Sequence, residues 1–225
     1  MSDSALRQVS LFTDFSQEEL DQLATSLRLR RYAEGQVIFA QGDPGNSLYV
    51  VEEGSVRICR ASAEGKEVIL AVLGPGEFFG ELALLDGEPR SADAVAQESC
   101  QLALLPREDF LRFLESKPRT ALRLLAVVSR RLRDADQMVQ DALCLDVPAR
   151  LARVLLDLAE TRGQSHEAGT LTSLRLTQSE LAGMVGATRE SVNKWLGFFD
   201  RQGAIRCQRG SITILRPGKL RQRIL

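Results

Sequence analysis

The sequence predicts an α+β protein of more than one domain. An antiparallel β-sandwich or barrel comes first, one long helix follows, and a small helical domain closed by a β-hairpin comes last. Three observations predict it. From Leu29 to Pro106, short alternating β-rich runs are parted by turn signals every ~8–12 residues. After Pro118 no Gly or Pro interrupts the chain as far as Leu145. Charge is also divided: residues 1–146 carry 16 Lys+Arg and 24 Asp+Glu, net −8, whereas residues 147–225 carry 13 and 6, net +7. A basic third joined to an acidic body predicts that one domain meets a polyanion.

The first element is a helix across SQEELDQLATSL, where Ser16 and Glu19 have capping-box spacing. The strands follow as QVIFA, SLYVV, SVRICR, EVILAVL, SADAVAQ and CQLALLP, with GDPG, EEG, AEG and GPGE as turns between the first four and beyond. In the uninterrupted stretch after Pro118, Leu125, Val128, Leu132, Ala135, Val139 and Ala142 repeat at alternating spacings of three and four. That narrow stripe predicts a coiled-coil seam, hence a parallel homodimer. The alternative is a helix packed on its own barrel, and Leu124 and Val127 suit that contact at the same time. The heavy charge on the flanking faces favours the dimer.

DVPARLARVLLDLAE opens the last domain, with Pro148 at a first-turn position. The polar stretch TRGQSHEAGTLTS is expected to be a loop. LTQSELAGMVGATRESVNKWLGFFDRQGAI then reads as two helices joined by a short turn. Thr177 and Glu180 form a second capping box, Gly186 stops the first helix and Thr188 caps the next. Leu181, Met184 and Val185 are the expected buried face of the first helix, and Val192, Trp195 and Leu196 that of the second. IRCQRGSITIL completes a winged helix-turn-helix with a basic-tipped hairpin.

A recognition helix puts its N-terminal residues in the major groove of double-stranded DNA. There Arg189 can contact guanine O6 and N7, Glu190 can accept from cytosine N4, and Lys194 can reach a guanine edge or a phosphate. Spacing alone would leave an ordinary helical hairpin as a serious rival. Combined with the +7 charge and the basic wing, it points to DNA.

Other chemistries are poorly supplied. Cys59, Cys100, Cys144 and Cys207 form no C-x-x-C pair, and all four are expected to be buried reduced thiols. His166 is the one histidine and is expected in a solvated loop. No metal site, covalently bound cofactor or nucleophile–base pair is therefore expected. Apolar runs fall short of a membrane span, and MSDSALRQVS lacks the layout of a secretory signal, so a cytoplasmic protein with no membrane partner is expected.

GELALLDGEPRSA, from Gly80 to Ala92, gathers a glycine, a carboxylate, an arginine and a hydroxyl within a dozen residues. One reading is a tight turn with Glu81 and Arg90 paired. The other is a pocket for a small anion that also bears hydroxyls.

With these residues in view, the chain resembles the Crp/Fnr family of bacterial transcription regulators over essentially its whole length. The resemblance rests on GDPGNSLYVVEEGSVRI, GEFFGELALLDGEPRSA, SRRLRDADQMVQDALCLDVPARLARVLLDLA and LTQSELAGMVGATRESVNKWLGFF. It implies a cyclic-nucleotide-binding jelly roll over residues 1–117, a dimerisation helix and hinge over 118–145 and a winged helix-turn-helix over 146–225. Two-fold symmetric DNA sites and contact with RNA polymerase are implied as well.

Under that resemblance Gly80, Glu81, Leu82, Ala83, Arg90 and Ser91 belong to a phosphate-binding cassette. A short helix begun at Gly80 points amides at the phosphate, Arg90 supplies the charge-assisted pair, Glu81 accepts from a ribose hydroxyl and Ser91 donates to a phosphate oxygen. Where cAMP-responsive members present Thr-Ser to the base, this chain has Ala135 and Asp136. A carboxylate suits guanine, which offers N1–H and N2–H, better than adenine. cAMP, the family's usual effector, is the first expectation, and cGMP or no effector the alternatives.

The iron–sulfur and haem sensors of the family use cysteine or histidine ligands that are not found in the expected places here. Retention of Glu81 favours a mononucleotide over cyclic di-guanylate. The DNA-contacting set is Thr177, Gln178, Thr188, Arg189, Glu190, Ser191, Lys194 and Arg209, reading a TGTGA-like palindrome. A carbohydrate-active jelly-roll enzyme using Glu81 and Asp86 is the rival class. It leaves the basic helix-turn-helix unexplained, so no enzyme is expected.

Overall fold

Turn chemistry and alternating apolar residues build two four-stranded antiparallel sheets in the N-terminal half. The computed structural model describes residues 6–7, 9–62, 67–166, 169–172, 177–208 and 211–224, with backbone alone for 162–166 and 169–172. One sheet contains β1 (Arg28–Tyr32), β3 (Ser47–Glu53), β6 (Phe78–Phe79) and β8 (Cys100–Pro106), in the order β1-β8-β3-β6. The other contains β2 (Val37–Phe39), β4 (Val56–Ala61), β5 (Glu67–Leu73) and β7 (Asp93–Ala96), in the order β2-β7-β4-β5. Apart from β4 and β5, neighbours in each order are non-consecutive in sequence, the signature of a jelly roll rather than a meander.

Two apolar clusters fix this half. Val51, Val56, Phe79, Ala94, Leu102 and Leu104 pack together as strand residues of the two sheets. A second cluster joins Leu48, Val50 and Leu105 to Leu6, Leu11, Phe12, Phe15, Leu20 and Phe110. It seats helix α1 (Gln17–Ser26) and helix α3 (Arg107–Ser116) against the first sheet. Both bonds of the Ser16–Glu19 capping box form at the start of α1. Helix α2 (Leu82–Leu85) lies between β6 and β7, and helix α4 spans Pro118–Cys144. Leu124 is buried, with Val127 and Val128 packed against the same cluster, so the barrel-facing alternative holds for the first turns of α4.

The C-terminal half is built on helix α5 (Val147–Arg162), helix α6 (Gln178–Val185) and helix α7 (Arg189–Arg201). Leu151, Leu155, Leu181, Val185, Val192, Leu196 and Phe199 form its core. Met184 and Trp195, expected in the buried faces, are only half-buried. The chain forms two compact units, Met1–Ser62 with Ile69–Arg133, and Ala63–Val68 with Asp134–Leu225.

The expected loop at TRGQSHEAGTLTS is instead largely sheet. β9 (Gly163–His166) pairs with β10 (Gly169–Thr172), and β10 pairs with β12 (Ser211–Ile214), which also pairs with β11 (Ile205–Gln208). His166 thus lies in a strand. The polar run carries no alternating pattern and becomes sheet by pairing, β9 with β10 locally and β10 with β12 some forty residues away in sequence. Helix α8 (Pro217–Ile224), absent from the expectation, buries Leu220 in the core, with Pro217 at its first position.

Two of the four cysteines also depart from expectation. Cys59 and Cys100 are buried, but Cys144 and Cys207 are exposed, and none of the four is in a disulfide. Cys144 ends α4, and Cys207 sits on β11, an edge strand of its sheet.

Candidate functional site: an anion cradle and a nucleic-acid interface

The cradle is assembled where β6 ends and β7 begins. Gly80 has φ +81°, a conformation glycine adopts without strain. A Cβ there would lie 2.5 Å from Arg90 Nη1. The turn therefore depends on glycine both for its dihedral and for the approach of the guanidinium. Helix α2 begins at Leu82 with Glu81 as its helical N-cap, slightly later than expected.

Arg90 is 4% exposed. Its Nη1 donates to the Gly80 carbonyl at 2.6 Å and its Nη2 to the Ser47 carbonyl at 2.8 Å. The guanidinium carbon sits 4.3 Å from the Phe39 ring centroid and 5.6 Å from that of Tyr49. Burial lowers the pKa of Arg90, against the pull of Tyr49, Glu81 and Asp43, yet a guanidinium stays charged at any physiological pH. Its Nε is buried and has no hydrogen-bond partner. Among the described residues no carboxylate forms an ion pair with it. A buried cation with a spare donor and no counter-ion is strongly disfavoured on its own. An anion placed beside it would supply what it lacks.

Glu81 is buried, at 2% exposed. It does not pair with Arg90, the bland reading of this stretch. Arg131 on α4 donates to Glu81 Oε1 at 2.6 Å and to the Phe78 carbonyl at 2.5 Å. Its guanidinium also lies 5.1 Å from the Phe78 ring centroid. Sequence reasoning missed Arg131. The available signal was physical: a buried carboxylate beside an arginine already committed to carbonyls needs a second cation.

Of the other expected ligand residues, Ala83 is buried, whereas Leu82 and Ser91 are exposed. Ala135 and Asp136 lie on an exposed face of α4, in the second unit. In the apolar stripe Leu125, Leu132 and Val139 are each about 60% exposed, at 61%, 62% and 59%. Ala142 is exposed too, while Val128 turns partly into the core. Leu122, Met138 and Leu143 widen this uncovered apolar surface, and none of them was expected there.

The second site is the helix-turn-helix. Thr177 Oγ1 accepts from the Glu180 amide at 3.2 Å, and the Thr177 amide donates to Glu180 Oε2 at 2.6 Å. Gly186 ends α6 in the left-handed conformation at φ +64°. Thr188 Oγ1 then accepts from the Ser191 amide at 3.2 Å to open α7. Val192, Leu196 and Phe199 are buried, and Arg189, Glu190, Asn193 and Lys194 are left exposed on the opposite face. Thr177 and Gln178 are exposed at the start of α6, and Ser191 is half-buried. Arg209 lies outside the described residues.

Glu190 is held below the usual carboxylate range by its own backbone amide, then by the Thr188 hydroxyl and by Arg189. It is therefore an ionised acceptor at neutral pH, as cytosine N4 requires. The Lys194 ammonium lies 5.6 Å from the Trp195 ring centroid.

Known proteins fit both sites. Residues 29–117 match the cyclic nucleotide-binding domain family and residues 149–223 the Crp-like helix-turn-helix domain family. A CRP-like cAMP-activated global transcriptional regulator of Mycobacterium tuberculosis is 33% identical over 221 residues, 98% of this chain and 99% of the relative. A cyclic AMP receptor protein of Thermus thermophilus is 38% identical over 204 residues, 91% of each. Among solved structures, the c-di-GMP responsive global regulator CLP of Xanthomonas campestris matches with a TM-score of 0.76 at 28% identity, covering 87% of this chain and 97% of that one. A CooA variant from Carboxydothermus hydrogenoformans has a TM-score of 0.81 over 95% of this chain and 94% of its own, and at 24% identity it supports the fold alone. Among the described residues no helix is long and apolar enough to cross a membrane, and no cluster of His, Cys, Asp and Glu could hold a metal ion.

Proposed function

We propose that this chain, which belongs to the Crp/Fnr family of cyclic-nucleotide-responsive DNA-binding regulators, acts as a homodimer that reads a palindromic TGTGA-like site under the control of cAMP. The observation that carries the reading is buried Arg90, with its unpartnered Nε and no paired carboxylate. A cyclic phosphate bears one negative charge and suits that donor. In this reading Gly80, Glu81, Leu82, Ala83, Arg90 and Ser91 hold the nucleotide, and Ala135 and Asp136 face its base. Residues 1–117 bind the effector, 118–145 dimerise and 146–225 read DNA. The names of the Mycobacterium and Thermus relatives favour cAMP.

On DNA, Arg189 and Glu190 read base edges, Lys194 a guanine or phosphate, and Thr177, Gln178, Thr188, Ser191 and Arg209 the backbone. The seam of Leu125, Val128, Leu132, Ala135, Val139 and Ala142 joins the protomers, setting the two readers one helical turn of DNA, about 34–36 Å, apart. The proposed setting is cytoplasmic, with RNA polymerase as a further partner. The proposal includes no enzyme activity: Asp86 is exposed and accepts from the Glu88 amide at 3.0 Å, and one Glu81 oxygen accepts from Arg131.

One observation favours a second effector. Asp136 offers an acceptor to guanine N1–H and N2–H, which points to cGMP. Calorimetric titration of the protein with cAMP, cGMP and cyclic di-GMP decides among them. The expected result is tightest binding of cAMP, with a matching gain in affinity for the palindrome. Tighter cGMP binding that is lost in Asp136→Ser establishes the second reading. Preference for cyclic di-GMP, or silence with all three, overturns mononucleotide control.

A further inference from the structure

The junction between α4 and α5 contains a cation that serves two helix ends at once. α4 stops at Cys144, and Asp146 starts α5 by accepting the Ala149 amide on its side chain at 3.0 Å and the Arg150 amide on its carbonyl at 3.0 Å. One turn into α5, Arg150 reaches back and donates from Nη1 to the Leu145 carbonyl at 2.8 Å. The same guanidinium donates from Nε to the Val185 carbonyl at 2.9 Å and from Nη2 to the Gly186 carbonyl at 3.4 Å. Leu145 follows the last residue of α4, while Val185 and Gly186 are the last residue and the C-cap of α6.

The final carbonyls of a helix have no partner within it and carry its partial negative charge. One guanidinium therefore reaches one carbonyl just past the end of α4 and two at the end of α6. The α6 end is only three residues ahead of Arg189, with Thr188 capping α7 between them. Two further ion pairs hold the junction: Arg153 with Asp141 at 3.0 Å, and Arg223 of α8 with Asp146 at 2.5 Å. Neither of these pairs reaches the turn before α7, whereas Arg150 bonds to both helix ends.

We infer that Arg150 is the positioning residue that ties the end of the long helix to the turn of the DNA reader, so that a displacement of one displaces the other. The inference rests on the nucleotide-controlled reading for its biological use, but the tie itself is a property of the second unit. Three carbonyls arranged around a planar fork require arginine: lysine presents a single point charge and cannot hold both helix ends in the same geometry.

The test compares the full-length protein with Arg150→Met and Arg150→Lys. DNA affinity for the palindrome is measured with and without cAMP and cGMP, and nucleotide affinity is measured without DNA. Allosteric coupling is commonly about 5–150-fold. Both variants are expected to bring it to within about twofold of none, with nucleotide affinity unchanged in the absence of DNA and the salt dependence of non-specific DNA binding preserved. Coupling retained in Arg150→Met, or restored by Arg150→Lys, overturns the inference.

If the unsubstituted protein shows no nucleotide effect on DNA binding, the nucleotide-controlled reading fails, and hydrogen exchange decides the tie separately. In Arg150→Met, amides of the turn at Ala187 and Thr188 and of the junction at Leu145 are expected to exchange faster together, with those of β3 and β8 unchanged. Faster exchange at one end alone, or at neither, overturns it.

Discussion

Arg131 Nη1 donates to Glu81 Oε1 at 2.6 Å, joining the long helix to the rim of the anion cradle. One oxygen of the buried Glu81 side chain is thereby engaged, and Arg90 is left without a carboxylate partner among the described residues. The two arginines differ in their partners: Arg131 meets the Glu81 carboxylate, and Arg90 meets the Gly80 and Ser47 carbonyls. Removing one partner of a buried pair costs about 3–5 kcal/mol. The Arg131 side chain keeps 34% exposure, so Arg131→Met is expected to cost about 2–3 kcal/mol, below that range. Adding Glu81→Gln in the same chain should return part of the loss, giving a coupling energy of about 0.5–3 kcal/mol in a double-mutant cycle followed by urea denaturation. Strict additivity of the two changes would show that the pair adds nothing to stability.

Gly80 and Gly87 make a matched comparison for the cradle. Both have positive φ, +81° and +76°. An added Cβ collides with Arg90 Nη1 at Gly80 and meets nothing within 4 Å at Gly87. Each alanine substitution carries backbone strain of about 1–3 kcal/mol. Only Gly80→Ala also displaces the guanidinium, so only it should weaken cAMP binding by a factor larger than its loss of stability explains. Calorimetry on both variants, alongside thermal denaturation, separates strain from collision. Equal loss of binding in the two would move the cradle away from Arg90.

What the sequence revealed and what it hid divide by range. Ser16 with Glu19, Thr177 with Glu180, and Gly186 act within one helical turn, and each cap stands where its spacing predicted. Six of the eight jelly-roll strands are legible because alternation is local, whereas β1, exposed at four of its five residues, the two-residue β6 and the order in the sheets are not. Glu81 and Arg131 are separated by 50 positions, and no spacing rule connects them. β10 is hidden because it lies between β9 and β12 in its sheet, so a polar, glycine-bearing run becomes a strand by pairing rather than by propensity. Cys144 and Cys207 were misplaced because residue type predicts burial only on average.

The apolar stripe of α4 predicts its own partner. Leu132, 62% exposed, and Val139, 59% exposed, stand on a face left uncovered by the described residues. Leu132→Lys should turn a dimer into a monomer, read as a halved mass by light scattering, because a charge at a seam position loses its packing and its hydration together. Leu143→Lys, at a position 81% exposed and outside the alternating spacing, should leave the mass unchanged. A monomer before any substitution would remove the homodimer from the proposal.

The proposed reading of DNA rests on Arg189 and Glu190. Arg189→Ala should abolish preference for the palindrome, at about 1–3 kcal/mol for each base edge no longer read, and leave salt-sensitive binding to unrelated DNA intact. Glu190 adds a pH signature. Its folded-state pKa is depressed below the ordinary 4.5, first by its own backbone amide and then by the Thr188 hydroxyl. A depressed acid lends stability that is present above the unfolded-state value and is lost as pH falls through the folded-state value. The start of α7 should therefore hold at neutral pH and loosen only in acid. An NMR titration should place the Glu190 midpoint below the ordinary carboxylate range, and Thr188→Val should raise it. A midpoint that ignores Thr188 would mean that the acceptor facing the groove is not fixed by the cap of the recognition helix.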